Sequence, residues 1–409
     1  MGSSSLPRAE AATQGGAFVL SAFAGFGLVW GVYAAALPSL RSAADASDAV
    51  FGTALTGIGV AALPAMLLVG RATDRFGDRT LLVVLCGFAL TAPLPTLAHS
   101  VPVLVVTLLA FGACSGGFDV SINHAAVRVE TETGRRVLNR AHAMFSFGLL
   151  MGSVLTGLLR GAGVHPAVVL VTVTTVLLGG LILAHHVLGG PGSPKTAAAS
   201  DRARTRRPVW TPFVVIAGIV GALALLVENG LQQWTAVFFE DVLHTGPALA
   251  GLGPGVLAGS AVLGRLGGHV VGHHLTDVTV LACSGLLAAP GAVLVATATS
   301  PIAALGGLFL AGVGISVATP TLYRIVGRRA AAADQGRTIS AVSALAYVGL
   351  LGGPGLVGQI AGRSNLRVAT GALALAALAV AAAAPLLAIR SATDTRSRFG
   401  VRSRPSSRR

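Results

Sequence analysis

Apolar stretches of roughly 20 residues recur from one end of this 409-residue chain to the other. With 53% hydrophobic residues, only 11% charged ones and a mean hydropathy of +0.77, there is too little polar surface to enclose them in a water-soluble body. Each run is long enough to cross a hydrocarbon core about 30 Å thick as an α-helix. An all-α membrane protein with many spans is expected, and the lipid bilayer is its first partner.

Breaks rich in charge, Gly or Pro place the spans near residues 16–38, 50–70, 80–98, 102–124, 141–160 and 165–188, then 211–237, 246–267, 276–297, 301–323, 338–361 and 367–389. That is twelve transmembrane helices in two sets of six. The domain plan is an N-terminal cytoplasmic segment over 1–15, a six-helix bundle over 16–188, a linker over 189–209, a second bundle over 210–389 and a basic tail over 390–409. The first run is too long for a signal peptide and lacks a convincing cleavage site. The linker holds Gly, Pro, Ser, Lys195, Arg202, Arg204, Arg206 and Arg207, a composition that cannot bury a core. The tail carries Arg396, Arg398, Arg402, Arg404, Arg408 and Arg409 among Ser and Pro and reads as disordered.

The formal net charge of +14 does not point to nucleic acid, because Lys and Arg cluster at span ends rather than in one aromatic-laced patch. All but Arg41, Arg160, Arg363 and Arg367 fall on the side of the two termini. By the positive-inside rule both termini are expected in the cytoplasm, in a multi-pass protein of the inner cell membrane. Cys86, Cys114 and Cys283 lie in apolar segments at spacings that fit neither a disulfide framework nor a metal site. His269, His273 and His274 lack an acid or Cys companion at ligand spacing, and there is no nucleotide-binding loop or nucleophile elbow. Neither an enzyme, a metal nor a cofactor is expected.

The turn after the second span reads Gly70-Arg-Ala-Thr-Asp74-Arg75-Phe-Gly77-Asp78-Arg79. Its Gly70, Asp74, Arg75, Gly77 and Arg79 resemble the loop joining the second and third helices of major facilitator superfamily transporters. Asp78 departs from that pattern, standing where the family usually has its first basic residue after the glycine. The resemblance implies that this turn is a conformational latch, with Asp74 placed near a helix N-terminus of the opposite bundle, where the helix dipole stabilises an acid. The halves are weakly alike: Gly27-Leu-Val-Trp30 pairs with Gly230-Leu-Gln-Gln-Trp234, and a GRLGGHVVGHH run follows the eighth span as GRATDRFGD follows the second. Two pseudo-symmetric six-helix bundles are what a site at their interface requires if it is to face either side in turn.

GFDVSINHAAVRVE, from Gly117, and NRAHAMFSFG, from Asn139, are similar to the fucose-permease-like branch of that superfamily. In that branch a fourth-helix acid is followed by Asn four residues on and by a fifth-helix Ser-x-Gly, here Asp119, Asn123, Ser146 and Gly148. The seventh-helix Glu228, six residues before Trp234, is similar too. Phe145 stands where the sugar symporter carries a polar Asn.

Asp119 and Glu228 are the acids that fall clearly inside spans. A carboxylate in the bilayer costs about 2.5 kcal/mol or more, so it must face a cavity, pair or be protonated. Asp119, about 18 residues into a helix that starts outside, lies in its cytoplasmic half, with Asn123 one turn on and His124 beside it. Proton coupling is expected of Asp119 first and Glu228 second. The cavity set is Trp30, Tyr33, Asn123, His124, Ser146, Gln232, Trp234 and Tyr347, although Trp30 and Tyr33 also fit an interfacial aromatic belt. His142 sits where an imidazole can relay protons or simply meet water. Pro354, in the Gly349–Gly358 run, implies a kink.

The expected function is secondary active transport of a small organic solute by alternating access, driven by protons, in a monomer. A proton-driven efflux pump for a drug or natural product is the alternative, although the fifth span reads GLLMGSVLTGLL and lacks the Gly-Pro motif of many drug antiporters. A transporter-fold membrane sensor is the third reading.

Overall fold

A computed structural model describes residues 6–134, 137–188, 210–271, 274–330 and 334–388. The linker over 189–209, the tail over 390–409 and His273 lie outside the described residues, as do the side chains of Asp74, Asp78 and His269.

Among the described residues thirteen α-helices follow one another: α1 (Leu6–Ala43), α2 (Asp48–Phe76), α3 (Asp78–Thr91), α4 (Val101–Thr133), α5 (Leu138–Gly161), α6 (Pro166–Leu188), α7 (Pro212–Asp241), α8 (Pro247–Val271), α9 (Asp277–Thr297), α10 (Pro301–Ile315), α11 (Ala318–Arg329), α12 (Gln335–Arg363) and α13 (Leu366–Ala383). They supply twelve helices long and apolar enough to cross a membrane, because α10 and α11 together form the tenth span. The interruption is local chemistry. Pro320 has no N–H to offer the carbonyl of Ser316 and its ring crowds that carbonyl, so the helix tightens at Ser316 and Val317 and then restarts. By contrast, α12 continues as helix through Pro354.

Span ends follow from capping residues. The side chains of Ser47, Thr211, Thr276, Ser300 and Asn365 each accept a hydrogen bond from the backbone N–H three residues on, opening α2, α7, α9, α10 and α13. Gly77 separates α2 from α3 at φ 59° and ψ −135°, a conformation that a side chain disfavours, which explains a glycine at that point of the charged turn. At the end of α4, Gly134 adopts φ 67°, and the carboxylate of Glu130 accepts from the N–H groups of Val137 and Leu138 at 2.9 and 3.0 Å. One acid thus ties the end of α4 to the start of α5.

Several helices outrun the sequence expectation; α4, for example, runs on to Thr133. α1 begins at Leu6, since Ala, Arg and Glu there are good helix formers that prolong the span. α8 runs to Val271, so the GRLGGHVVGHH run, expected to follow the eighth span, is helix from Gly264 to Val271.

The helices α1–α6 and α7–α13 make two bundles. Within the first, α1 packs on α5 so closely that a methyl group at Gly31 would collide with the Leu149 carbonyl, and one at Gly148 with the Ala24 carbonyl. Small residues let transmembrane backbones approach in this way, trading side-chain volume for van der Waals contact. Gly148→Val is therefore expected to lower stability by about 1–3 kcal/mol or more, measurable as a lower melting temperature in detergent. Large apolar side chains such as Leu67, Leu90, Ile302 and Leu375 are exposed on the outer faces, where lipid tails would meet them.

Between the bundles, α5 packs on α8 and α2 on α12. A methyl group on Gly251 would lie 2.6 Å from the Cα of Gly157, and one on Gly52 would lie 2.8 Å from the Cα of Gly358. These crossings sit at the end of the molecule opposite the termini, hereafter the far end. Toward the other end, α4 packs on α1, α2, α3 and α5, and α11 on α7, α9, α10 and α12, each within its own bundle. The bundles are thus joined at the far end.

Candidate transport site

Five charged groups lock that far end. Arg160 of α5 is 7% exposed, and its Nη1 donates both to Glu240 Oε1 of α7 at 2.7 Å and to the Ala35 carbonyl at 2.7 Å, while Nε donates to Ser39 Oγ at 3.0 Å. Arg41 of α1 pairs with Asp48 of α2 at 2.9 Å and with Asp241 of α7. Gln359 of α12 adds hydrogen bonds to the Ala49 carbonyl and Thr53 Oγ1 of α2 at 3.2 and 3.1 Å. Two of the four arginines that the charge rule left on the far side therefore have a definite task there: they bridge the bundles. Sequence reasoning did not foresee the bridges, although Glu240 and Asp241, two acids at the same end, were the available signal.

Deeper in, α4 and α12 present polar groups to each other across the bundle interface. Asn123 Nδ2 donates to Asp119 Oδ1 at 3.0 Å and to the Asp119 carbonyl at 2.9 Å, as their one-turn spacing allows. Tyr347 of α12 stands within electrostatic range of both Asp119 and Tyr323, and the Tyr323 hydroxyl shares a hydrogen bond with Ser343 Oγ at 3.0 Å. Among the described residues no cation pairs with Asp119. A carboxyl group held by one amide, away from any counter-ion, is inexpensive to keep protonated and costly to keep charged.

A second cross-bundle facing lies between α5 and α8. Arg265 Nη2 reaches Glu228 Oε1 of α7 at 3.1 Å, and Arg265 is within electrostatic range of His142 of α5. His142 is exposed on the side of α5 that meets Phe23 of α1, with ring centroids 5.2 Å apart. Glu228 is thus an ion-paired acid, chemically unlike Asp119. Nothing local in the sequence links Arg265 to Glu228, 37 residues earlier.

The remaining candidates occupy other settings. Tyr33 is fully buried in the first bundle, stacked on Phe111 with centroids 5.2 Å apart, and Trp30 joins the same cluster. Trp234 is buried, and its indole N–H donates to the Pro354 carbonyl at 2.9 Å, tying α7 to α12. Gln232 reaches the Pro254 carbonyl of α8 at 3.5 Å. Ser146 is buried in α5. His124 is exposed on the face of α4 shared with Val127 and Thr131, turned away from Asp119. In the charged turn Arg75 lies over the Phe76 ring at 5.4 Å, and Arg79 is exposed.

The family model described as Major Facilitator Superfamily matches residues 19–276. This chain belongs to the major facilitator superfamily. It is 32% identical over 364 residues to an MFS-type transporter of Yersinia pestis, covering 88% of this chain and 92% of that one. It is also 26% identical to the membrane protein MosC of Rhizobium meliloti, over 82% of this chain and 81% of the relative. In fold it is similar to a bacterial homologue of the human lysosomal transporter Spinster, at TM-score 0.70 and 14% identity over 90% of this chain and 95% of that one. It is likewise similar to the Escherichia coli fucose:proton symporter FucP, at TM-score 0.60 and 15% identity over 92% and 98%. The protein is a multi-pass membrane transporter of this superfamily, not an enzyme.

Proposed function

We propose that this superfamily member moves a small organic solute across the inner membrane by alternating access, coupled to protons through Asp119. The carrying observation is the setting of Asp119. It is an acid with no counter-ion among the described residues, facing Tyr347 of the opposite bundle, in a molecule whose bundles are clamped at the far end. Rocking of the bundles would change which side hydrates that carboxyl, and with it the proton's source and destination. Tyr347, Tyr323, Ser343 and Asn123 supply hydrogen-bonding groups for a solute beside it. With the termini in the cytoplasm, as the distribution of Lys and Arg favours, the clamped end is the outer one and the state is open inward. FucP is named as a fucose:proton symporter, which makes proton coupling a natural reading for a protein of this fold. The charged turn with Gly70, Asp74, Arg75, Gly77 and Arg79 fits the role of a latch on the inner side.

Purified protein in liposomes tests this reading. An imposed pH gradient is expected to drive accumulation of a transported solute, with counterflow of unlabelled solute when the gradient is absent. Ligand binding with no gradient-driven movement would show a sensor rather than a transporter.

A further inference from the structure

We infer that Arg265 is the binding residue for a carboxylate on the transported solute, and that Glu228 holds its guanidinium ready in the empty protein. The inference rests on the transport reading and names the class of solute.

Arg265 lies in the last turn of the eighth span, where a cation can reach water, yet its guanidinium is held to Glu228 near the middle of α7. Its side chain is 42% exposed, far more than the 7% of the clamping Arg160, although both are arginines within spans. Arg160 spreads its nitrogens over Glu240, Ala35 and Ser39, which is the pattern of a structural arginine. Arg265 makes a single ion pair, one nitrogen to one oxygen of Glu228 at 3.1 Å. That leaves most of a planar fork of donors unused, and such a fork matches a carboxylate in two parallel bonds. His142 faces it from the other bundle, so an anion bound there would touch α5, α7 and α8 together and sense their relative motion.

Charge counting selects a monocarboxylate. Arg265 and Glu228 cancel, and Asp119 adds at most one negative charge, so a solute with two or more negative charges would meet repulsion with only one arginine to offset it. A single carboxylate can displace Glu228 from the guanidinium and leave that acid to water or to a proton. Arg265 would then set specificity, while Asp119 keeps its own proton one helix pair away.

Thermal unfolding of the purified full-length protein at constant ionic strength tests this with matched probes: lactate, gluconate and benzoate against lactamide, gluconamide and benzamide. At least one acid is expected to raise the melting temperature saturably while its amide does not. Arg265→Gln is expected to weaken that binding roughly tenfold or more, as loss of a charge-assisted pair requires. Glu228→Gln, which removes the internal competitor, is expected to tighten it. Arg265→Lys keeps a charge in place and guards against a mere folding defect; it should bind the acid at an intermediate affinity. Equal shifts from acid and amide, an undiminished shift in Arg265→Gln, or no saturable shift from any of the three acids would overturn the assignment. The readout is equilibrium binding, so a protein that binds an acid through Arg265 yet shows no proton-driven uptake would remove the proton-coupled transport reading and leave Arg265 as the carboxylate-binding residue.

Discussion

Asp119→Asn is expected to reduce pH-gradient-driven uptake to the level of protein-free liposomes while solute exchange across the same membranes persists. Asparagine keeps the size and the hydrogen bond to Asn123 but cannot gain or lose a proton in the accessible range. It therefore imitates the protonated acid permanently. Bundles carrying a neutral group at this point remain free to rock with solute bound, which exchange requires, but they carry no proton. An acid that only pins helices would behave otherwise: the amide would preserve its hydrogen bond, and gradient-driven uptake would survive. Parallel measurement of exchange and gradient-driven flux separates the two roles. Retained pH-driven uptake removes Asp119 from the mechanism.

Arg160→Ala is expected to open the far end. The guanidinium is almost wholly enclosed and holds Glu240 across the bundle interface, so its loss leaves a half-buried acid without its partner. Breaking one side of such a pair costs about 3–5 kcal/mol. Applied to the closed state alone, the lower figure is a shift of roughly 100-fold in the balance between closed and open forms. Cysteines at Thr53 and Gln359, which hydrogen-bond across α2 and α12 at 3.1 Å, give the readout with a short bis-maleimide. Cross-linking is expected to be fast with Arg160 intact, to slow in Arg160→Ala and in Glu240→Gln, and to arrest transport once formed. If the rate is unchanged in both variants, the ion pairs are ornaments of the surface rather than a clamp.

How far the sequence revealed all this depends on range. Spans were legible because the signal is local: an apolar run fixes the helix, and Ser47, Thr211, Thr276, Ser300 and Asn365 mark starts within a few residues. The Asp119–Asn123 pair was legible for the same reason, since four residues make one turn. Arg265 with Glu228, Arg160 with Glu240 and Arg41 with Asp241 lie 37, 80 and 200 residues apart, and no periodicity connects such distances. The misfit of Arg41 and Arg160 with the charge rule, and the two acids Glu240 and Asp241 at the same end, were the hints that they had partners. The broken tenth span was visible in Pro320, but a single proline does not say whether a helix kinks, as one reading of Pro354 had it, or restarts. Side-chain direction was the other gap: His124 adjoins Asn123 in sequence but turns to another face of α4.

The most direct test of reciprocal access is a pair of spin-label distances read in one membrane sample by double electron-electron resonance. One pair, at His99 and Ser300, reports the far end; the other, at Thr131 and Arg337, reports the end nearer the termini. Wild-type protein is expected to show a short far-end distance as its main population, and Arg160→Ala is expected to lengthen it while shortening the other. Distances at both ends that move together, or that stay fixed in the variant, would contradict alternating access about this site.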